Sequence, residues 1–206
     1  MSHSGTRESG EDSGIESRHI AVIGARHGIG RAVVEALGAG GARVAAFDIC
    51  ERALQSLDCA FKSAVDVRDE RLVEAAIDKA ERALGKLDGL FYSAAAPNHR
   101  ATVEVLEPSA WDDCMAINLR GAFLAARSII PALRRAGGGD VVFVASELGR
   151  VGATANPAYC ASKGALVQLA KAMALDHGGE GIRVNTLSPG PVWTERFADR
   201  FATRED

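Results

Sequence analysis

The chain has 206 residues, 47% hydrophobic and 25% charged, with a formal net charge of −3. That length suits one well-cored domain, and the small negative charge gives no reason to expect nucleic acid or an anionic membrane as partner. No apolar run approaches the ~18 residues of a bilayer span. The five histidines show no pair at ligand spacing, so no metal site is expected. Cys50, Cys59, Cys114 and Cys160 form no C-x-x-C and follow no secretory signal, which predicts reduced thiols and a cytoplasmic protein.

Residues 1–18 are rich in serine, glycine and charge, with Ile15 the only large apolar residue after the initiator. Such a segment buries too little to offset its ordering entropy and predicts a flexible N-terminal tail. It has neither the apolar core of a secretory signal nor the arginine-rich, acid-poor character of a transit peptide. A single domain is expected over residues 19–206, with no internal repeat or linker.

Ile20-Ala21-Val22-Ile23 reads as a strand, followed by the turn Gly24-Ala25-Arg26-His27-Gly28-Ile29-Gly30 and an apolar-periodic helix through Leu37. Strand, glycine turn and helix together present backbone N–H groups and a helix N-terminus to a phosphate. The spacing G-x-x-x-G-x-G is one variant of the dinucleotide fingerprint, although glycine also serves ordinary tight turns. Residues 43–47 form a second strand ending in Asp48, 18 residues beyond Gly30. A carboxylate there can accept both ribose hydroxyls of an adenosine and repels a 2′-phosphate, so NAD is expected over NADP. Arg26 and His27 pull the other way, since either could meet a 2′-phosphate, and a plain turn aspartate is the alternative for Asp48.

Strand and helix signals then alternate. Residues 61–67 read as a strand ending at Asp66, residues 70–84 as a charged amphipathic helix, and residues 89–93 as a strand leading into Ala94-Ala95-Ala96-Pro97. Residues 111–135 form a long helical stretch containing Asn118 and interrupted only by Gly121 and Pro131. Gly137-Gly138-Gly139 loops into the buried strand Val141-Val142-Phe143-Val144, with Ser146 at its carboxyl end. The helix that follows carries Tyr159 and Lys163 and ends at Gly178-Gly179. Residues 182–187 are a last strand running into Ser188-Pro189-Gly190. Six strands alternating with helices predict an α/β fold: a Rossmann-like, doubly wound parallel sheet in three layers.

Tyr159 and Lys163 lie four apart, on one helix face one turn above the other. A phenol near pKa ~10 is a poor base at neutral pH, and a nearby cation favours its phenolate. Ser146 could hold a substrate oxygen while Tyr159 gives or takes its proton. An ordinary amphipathic helix is the competing reading, because Tyr-x-x-x-Lys alone is weak.

Taken jointly, Gly24/Gly28/Gly30, Asp48, Asp66-Val67, Asn118, Ser146, Tyr159 with Lys163, and Pro189-Gly190 with Val192 and Thr194 make the chain resemble a short-chain dehydrogenase/reductase over about residues 18–198. Ser146 stands 13 residues before Tyr159, as the family's catalytic serine usually does. The resemblance implies a nicotinamide-dependent oxidoreductase interconverting a secondary alcohol and a ketone by hydride transfer. It assigns Tyr159 as general acid/base, Ser146 to orient the substrate oxygen, and Lys163 to bind the nicotinamide ribose and depress the tyrosine pKa. Asn118 would hold a water relaying protons. In the cofactor site it implies the turn residues Gly24, Arg26, His27, Gly28, Ile29 and Gly30, with Asp48 on the ribose. Asp66 and Val67 would contact adenine, Ser93 and Ala94 would border the cofactor, and Val192 and Thr194 would hold the carboxamide beyond Pro189 and Gly190. A homo-oligomer, dimer or tetramer, and a small alcohol or carbonyl substrate are implied as partners.

The chain departs from the family pattern in three places. Ile23 stands where a threonine often precedes the first glycine. Tyr92-Ser93-Ala94-Ala95 stands where Asn-Asn-Ala-Gly is usual, which sets a bulky tyrosine at a strand end bordering the cofactor. The sequence stops at Asp206, where relatives usually continue through more helix and a final strand. From that stop follow the expectations of an unpaired edge on the last strand, self-association and poor turnover, with Trp193, Phe197 and Phe201 in a helix-like stretch without a visible partner. Two other classes compete: a cofactor-binding sensor or scaffold with little turnover, and a methyltransferase, which shares the glycine turn but has no use for Ser146, Tyr159 and Lys163.

Overall fold

Strands β1 (His19–Ile23), β2 (Arg43–Asp48), β3 (Phe61–Ala64), β4 (Gly89–Tyr92), β5 (Gly139–Val144) and β6 (Ile182–Leu187) form one sheet in the order β3-β2-β1-β4-β5-β6. The structure, a computed structural model, describes residues 14–194. Every pairing is parallel, with Val22 set against Ala46 on one side and Phe91 on the other. Helices α1 (Gly28–Ala39), α2 (Glu51–Leu54), α3 (Glu70–Leu84), α4 (Pro108–Met115), α5 (Gly121–Arg135) and α6 (Pro157–His177) make the crossovers.

The strands read as nearly continuous apolar runs because both sheet faces are covered. Alternation along each strand then sorts side chains between two cores. Ala21, Ile23, Tyr92, Val141 and Phe143 pack with residues of α3, α5 and α6 on one face. Val22, Val44 and Ala46 pack with Val34 of α1 and with Leu54 and Leu57 on the other. The arrangement is the Rossmann-like doubly wound sheet expected from the element order.

Local boundaries differ from expectation in instructive ways. β3 ends at Ala64 rather than running through Val67, because its only strand neighbour among the described residues, β2, stops at Asp48. Residues 65–67 are thereby released to turn over the end of the sheet. Neither Gly121 nor Pro131 interrupts the long helical stretch, and Pro131 lies inside α5. Its irregularity is a π-helical segment, Ala116–Arg120, that joins α4 to α5 and contains Asn118.

Residues 14–18 of the expected tail are among those described. Ile15 packs against the second core, and Arg18 pairs with Asp88 at 3.0 Å and with Asp140 at 2.6 Å. Residues 1–13 lie outside the described residues, as do Phe197 and Phe201. β6 borders the sheet among the described residues, paired through β5 alone. No helix among them is long and apolar enough to cross a membrane.

Candidate active site

Between β1 and β4 the strand order reverses, and the crossovers leave in opposite directions. A cleft opens there past the carboxyl ends of the strands, the place where doubly wound sheets bind ligands. Its volume is about 510 Å³.

The turn between β1 and α1 forms one wall, with Gly24, Arg26, His27, Gly28 and Ile29 facing the cleft. Glycine is required here for space. A Cβ on Gly24 would sit 2.4 Å from the Ala94 nitrogen at the end of β4, and one on Gly30 would sit 2.0 Å from the Gly24 carbonyl oxygen. Gly30 therefore acts behind the wall, letting α1 close onto the turn, and does not itself line the cleft. Ile23, where a polar side chain was looked for, is 2% exposed and joins the core. The turn is held instead by the Gly24 and Ala25 N–H groups, which donate to the Phe47 carbonyl.

Asp48, 7% exposed, ends β2 inside the cleft. Its carboxylate accepts from the backbone N–H groups of Arg26 and Cys50, both at 3.2 Å, and lies 3.7 Å from the Arg26 Nε. The two residues that pull cofactor preference in opposite directions are thus one ion pair. Asp66, Val67 and Arg68 line the same end. Arg68 grips the Asp66 carboxylate through Nε and Nη2, and those hydrogen bonds hold the Asp66 acid below the usual carboxylate range.

At the end of β4, Ser93, Ala94, Ala95 and Ala96 line the cleft, but Tyr92 does not. The tyrosine side chain turns inward, 1% exposed, and its hydroxyl donates to the Ile117 carbonyl in the π segment at 2.6 Å. A bulky residue at that position consequently leaves the cofactor border to Ser93 and Ala94. Gly121 makes the room, since a Cβ there would meet the Tyr92 hydroxyl at 2.4 Å.

Asn118 is fully buried and lies behind the cleft. Its Oδ1 accepts from the Ala96 N–H at 2.8 Å, and its Nδ2 donates to Ser162 Oγ at 2.9 Å and towards Cys114 Sγ at 3.3 Å. The side chain is a bracket between the β4 loop and α6.

Ser146 follows β5 and caps a short 3₁₀ turn, Glu147–Gly149, its Oγ accepting from the Leu148 N–H at 3.2 Å. Across the cleft, α6 presents Tyr159 and Lys163, with the Lys163 Nζ 5.7 Å from the centre of the Tyr159 ring. Lys163 is 2% exposed and donates to the Val144 carbonyl at 2.5 Å, which supplies the polar partner a buried ammonium needs. Gly149 lets the 3₁₀ turn lie against α6: a Cβ there would come within 2.8 Å of the Lys163 backbone. Ser146, Tyr159 and Lys163 are therefore brought to one place by a close backbone approach. Past β6, Pro189, Gly190, Val192 and Thr194 close the remaining side, and Thr194 lies over Gly28.

Of the site residues expected from sequence, all but Gly30 and Asn118 line this one cleft. Ile49 and Arg68, which no motif singles out, line it too, as does His99 in the loop after β4. Ile49 and Arg68 carried a usable signal, since each sits one or two residues past a strand-end acid.

The profile of the short chain dehydrogenase family matches residues 18–205. The chain belongs to the short-chain dehydrogenase family. It is 36% identical over 192 residues to D-threitol dehydrogenase of Mycolicibacterium smegmatis, covering 89% of this chain and 74% of that one. With a probable galactose dehydrogenase of Rhizobium meliloti it shares 34% over 200 residues, covering 93% and 78%. The crystal structure of levodione reductase superposes with a TM-score of 0.85 at 29% identity, covering 89% of this chain and 75% of that one. As a short-chain dehydrogenase the protein is an NAD(P)-dependent oxidoreductase acting on CH–OH groups of small alcohols and their carbonyl counterparts.

Proposed function

We propose that the cleft binds NAD(H) in preference to NADP(H) and interconverts a secondary alcohol and its ketone, with Tyr159 as general acid/base. The observation that carries this reading is the convergence of Ser146, Tyr159 and Lys163 on a cleft whose opposite wall is the glycine turn. The close approaches at Gly24 and Gly30 fit a pyrophosphate cradle, and the Asp48 carboxylate fits a ribose diol. When bound, the nicotinamide supplies the hydride chemistry.

The chain's own residues do the rest. Ser146 orients the substrate oxygen, and Tyr159 gives it a proton or takes one from it. Lys163, fixed by the Val144 carbonyl, keeps a positive charge beside the phenol, favours the phenolate and can reach a ribose hydroxyl. Asn118 acts by position, tying Ala96 of one wall to Ser162, which itself donates to the Tyr159 carbonyl at 2.9 Å. Thr194 and Val192, which line the cleft past β6, would hold the carboxamide. Tyr92, turned inward, does not obstruct the cleft, while Ala95 of the altered β4 end does line it.

The test is turnover. A screen of secondary alcohols and ketones with NAD(H), begun on small polyols and aldoses because similar proteins bear such names, should reveal a substrate. Tyr159→Phe should then lose roughly 10²–10⁴-fold in kcat while still binding NADH, and Lys163→Met should lose both activity and cofactor affinity. Near-normal turnover in Tyr159→Phe would refute the assignment.

A further inference from the structure

We propose that Arg68 is a further binding residue of the cleft, its guanidinium face stacking on the purine base of an adenine nucleotide. The inference rests on the dinucleotide reading above and assigns a residue to its adenine end. Arg68 lies beyond β3, beside the end of β2 that carries Asp48, and it lines the cleft together with Asp66, Val67 and Ile49.

Each nitrogen on the edge of this guanidinium has a carboxylate partner. Nε and Nη2 meet the two oxygens of Asp66 at 2.7–3.1 Å, and Nη1 reaches Asp113 of α4 at 3.4 Å. The backbone is fastened as well, because Arg120 donates to the Arg68 carbonyl at 2.6 Å. Two carboxylates offset the charge, so the group is poorly suited to capture a phosphate. What the fixed plane still offers is its face, and arginine stacks on aromatic rings through that face. Ile49, 58% exposed, adds apolar surface at the same end, which suits a flat base more than a charged group.

Displacement of NADH, followed by its fluorescence, tests the proposal with three competitors: AMP, uncharged adenosine and nicotinamide mononucleotide. In Arg68→Ala, AMP and adenosine should weaken by similar factors, about two- to fivefold for an exposed cation–π contact, and nicotinamide mononucleotide should be unchanged. Arg68→Lys keeps the charge but loses the plane that stacks, and should recover at most part of the affinity. It also carries the test if the alanine variant melts early. Unchanged adenosine binding in both variants overturns the proposal, as does full recovery in Arg68→Lys, which would make charge the active property. An equal loss for nicotinamide mononucleotide also overturns it, by showing a general disturbance of the cleft. Wild type that binds neither NADH nor AMP removes the dinucleotide reading, and the stacking with it.

Discussion

Tyr92 and Gly121 fit each other closely enough for substitution to expose the coupling. A Cβ on Gly121 would lie 2.4 Å from the Tyr92 hydroxyl oxygen and 2.9 and 3.0 Å from Val67 side-chain carbons. Overpacking a closed site of this kind costs about 1–3 kcal/mol. Alanine returns roughly 1 kcal/mol in helix propensity, leaving Gly121→Ala destabilised by about 0–2 kcal/mol. Tyr92→Phe deletes the 2.6 Å hydrogen bond to the Ile117 carbonyl, worth about 0.5–1.5 kcal/mol net. Burial pushes the Tyr92 phenol far above its ordinary range, with the Asp66 charge adding to the effect, so it is a neutral donor at any working pH. In the double variant the shortest clash has no atom on its far side. The two losses should therefore fall short of their sum by about 1 kcal/mol, within the range of directly coupled neighbours. Urea unfolding of the four proteins measures this, and a parallel melting series should show about 2–4 °C per kcal/mol for a chain this size. Strict additivity would mean that the hydroxyl and Gly121 do not meet, and that another feature of the π segment accommodates the tyrosine.

Replacing Asp48 with serine should narrow or reverse the preference for NAD(H), because it removes a carboxylate that repels a 2′-phosphate and leaves Arg26 and His27 to meet one. Titration of both cofactors reads the result, and an unchanged ratio would show that Asp48 does not face the ribose. His19 gives a pH prediction of definite sign. Burial holds its pKa below the ordinary imidazole value, the Lys86 charge adds to this, Asp88 opposes it and Arg43 reinforces it. The unfolded chain therefore binds a proton at about pH 6.5 while the folded chain does not, so stability is complete above that pH and falls as pH drops towards the lower folded value. The loss of urea stability between pH 7.5 and 5.5 should be smaller in His19→Asn than in wild type, and an equal loss would show that His19 is not responsible.

The order of strands and helices, the glycine turn, Asp48 and the Tyr159/Lys163 pair were legible because each is a local pattern. Alternation and helical spacing are properties of a few consecutive residues, and a parallel α/β order constrains the sheet that can bury them. Tertiary structure alone decided what depends on neighbours far along the chain. β3 stops at Ala64 because β2 has ended beside it. Tyr92 faces the core because Gly121, 29 positions later, leaves a space and Ile117 offers a carbonyl. The motif marks Asn118 as a site residue, but only packing shows that Ala96 and Ser162 converge on its amide. Arg68 carries no motif of its own, and only packing shows Asp66 and Asp113 holding its guanidinium at the cleft edge. Local sequence sets which conformations and face periodicities are cheap; which donor meets which acceptor is decided only when distant segments are packed together.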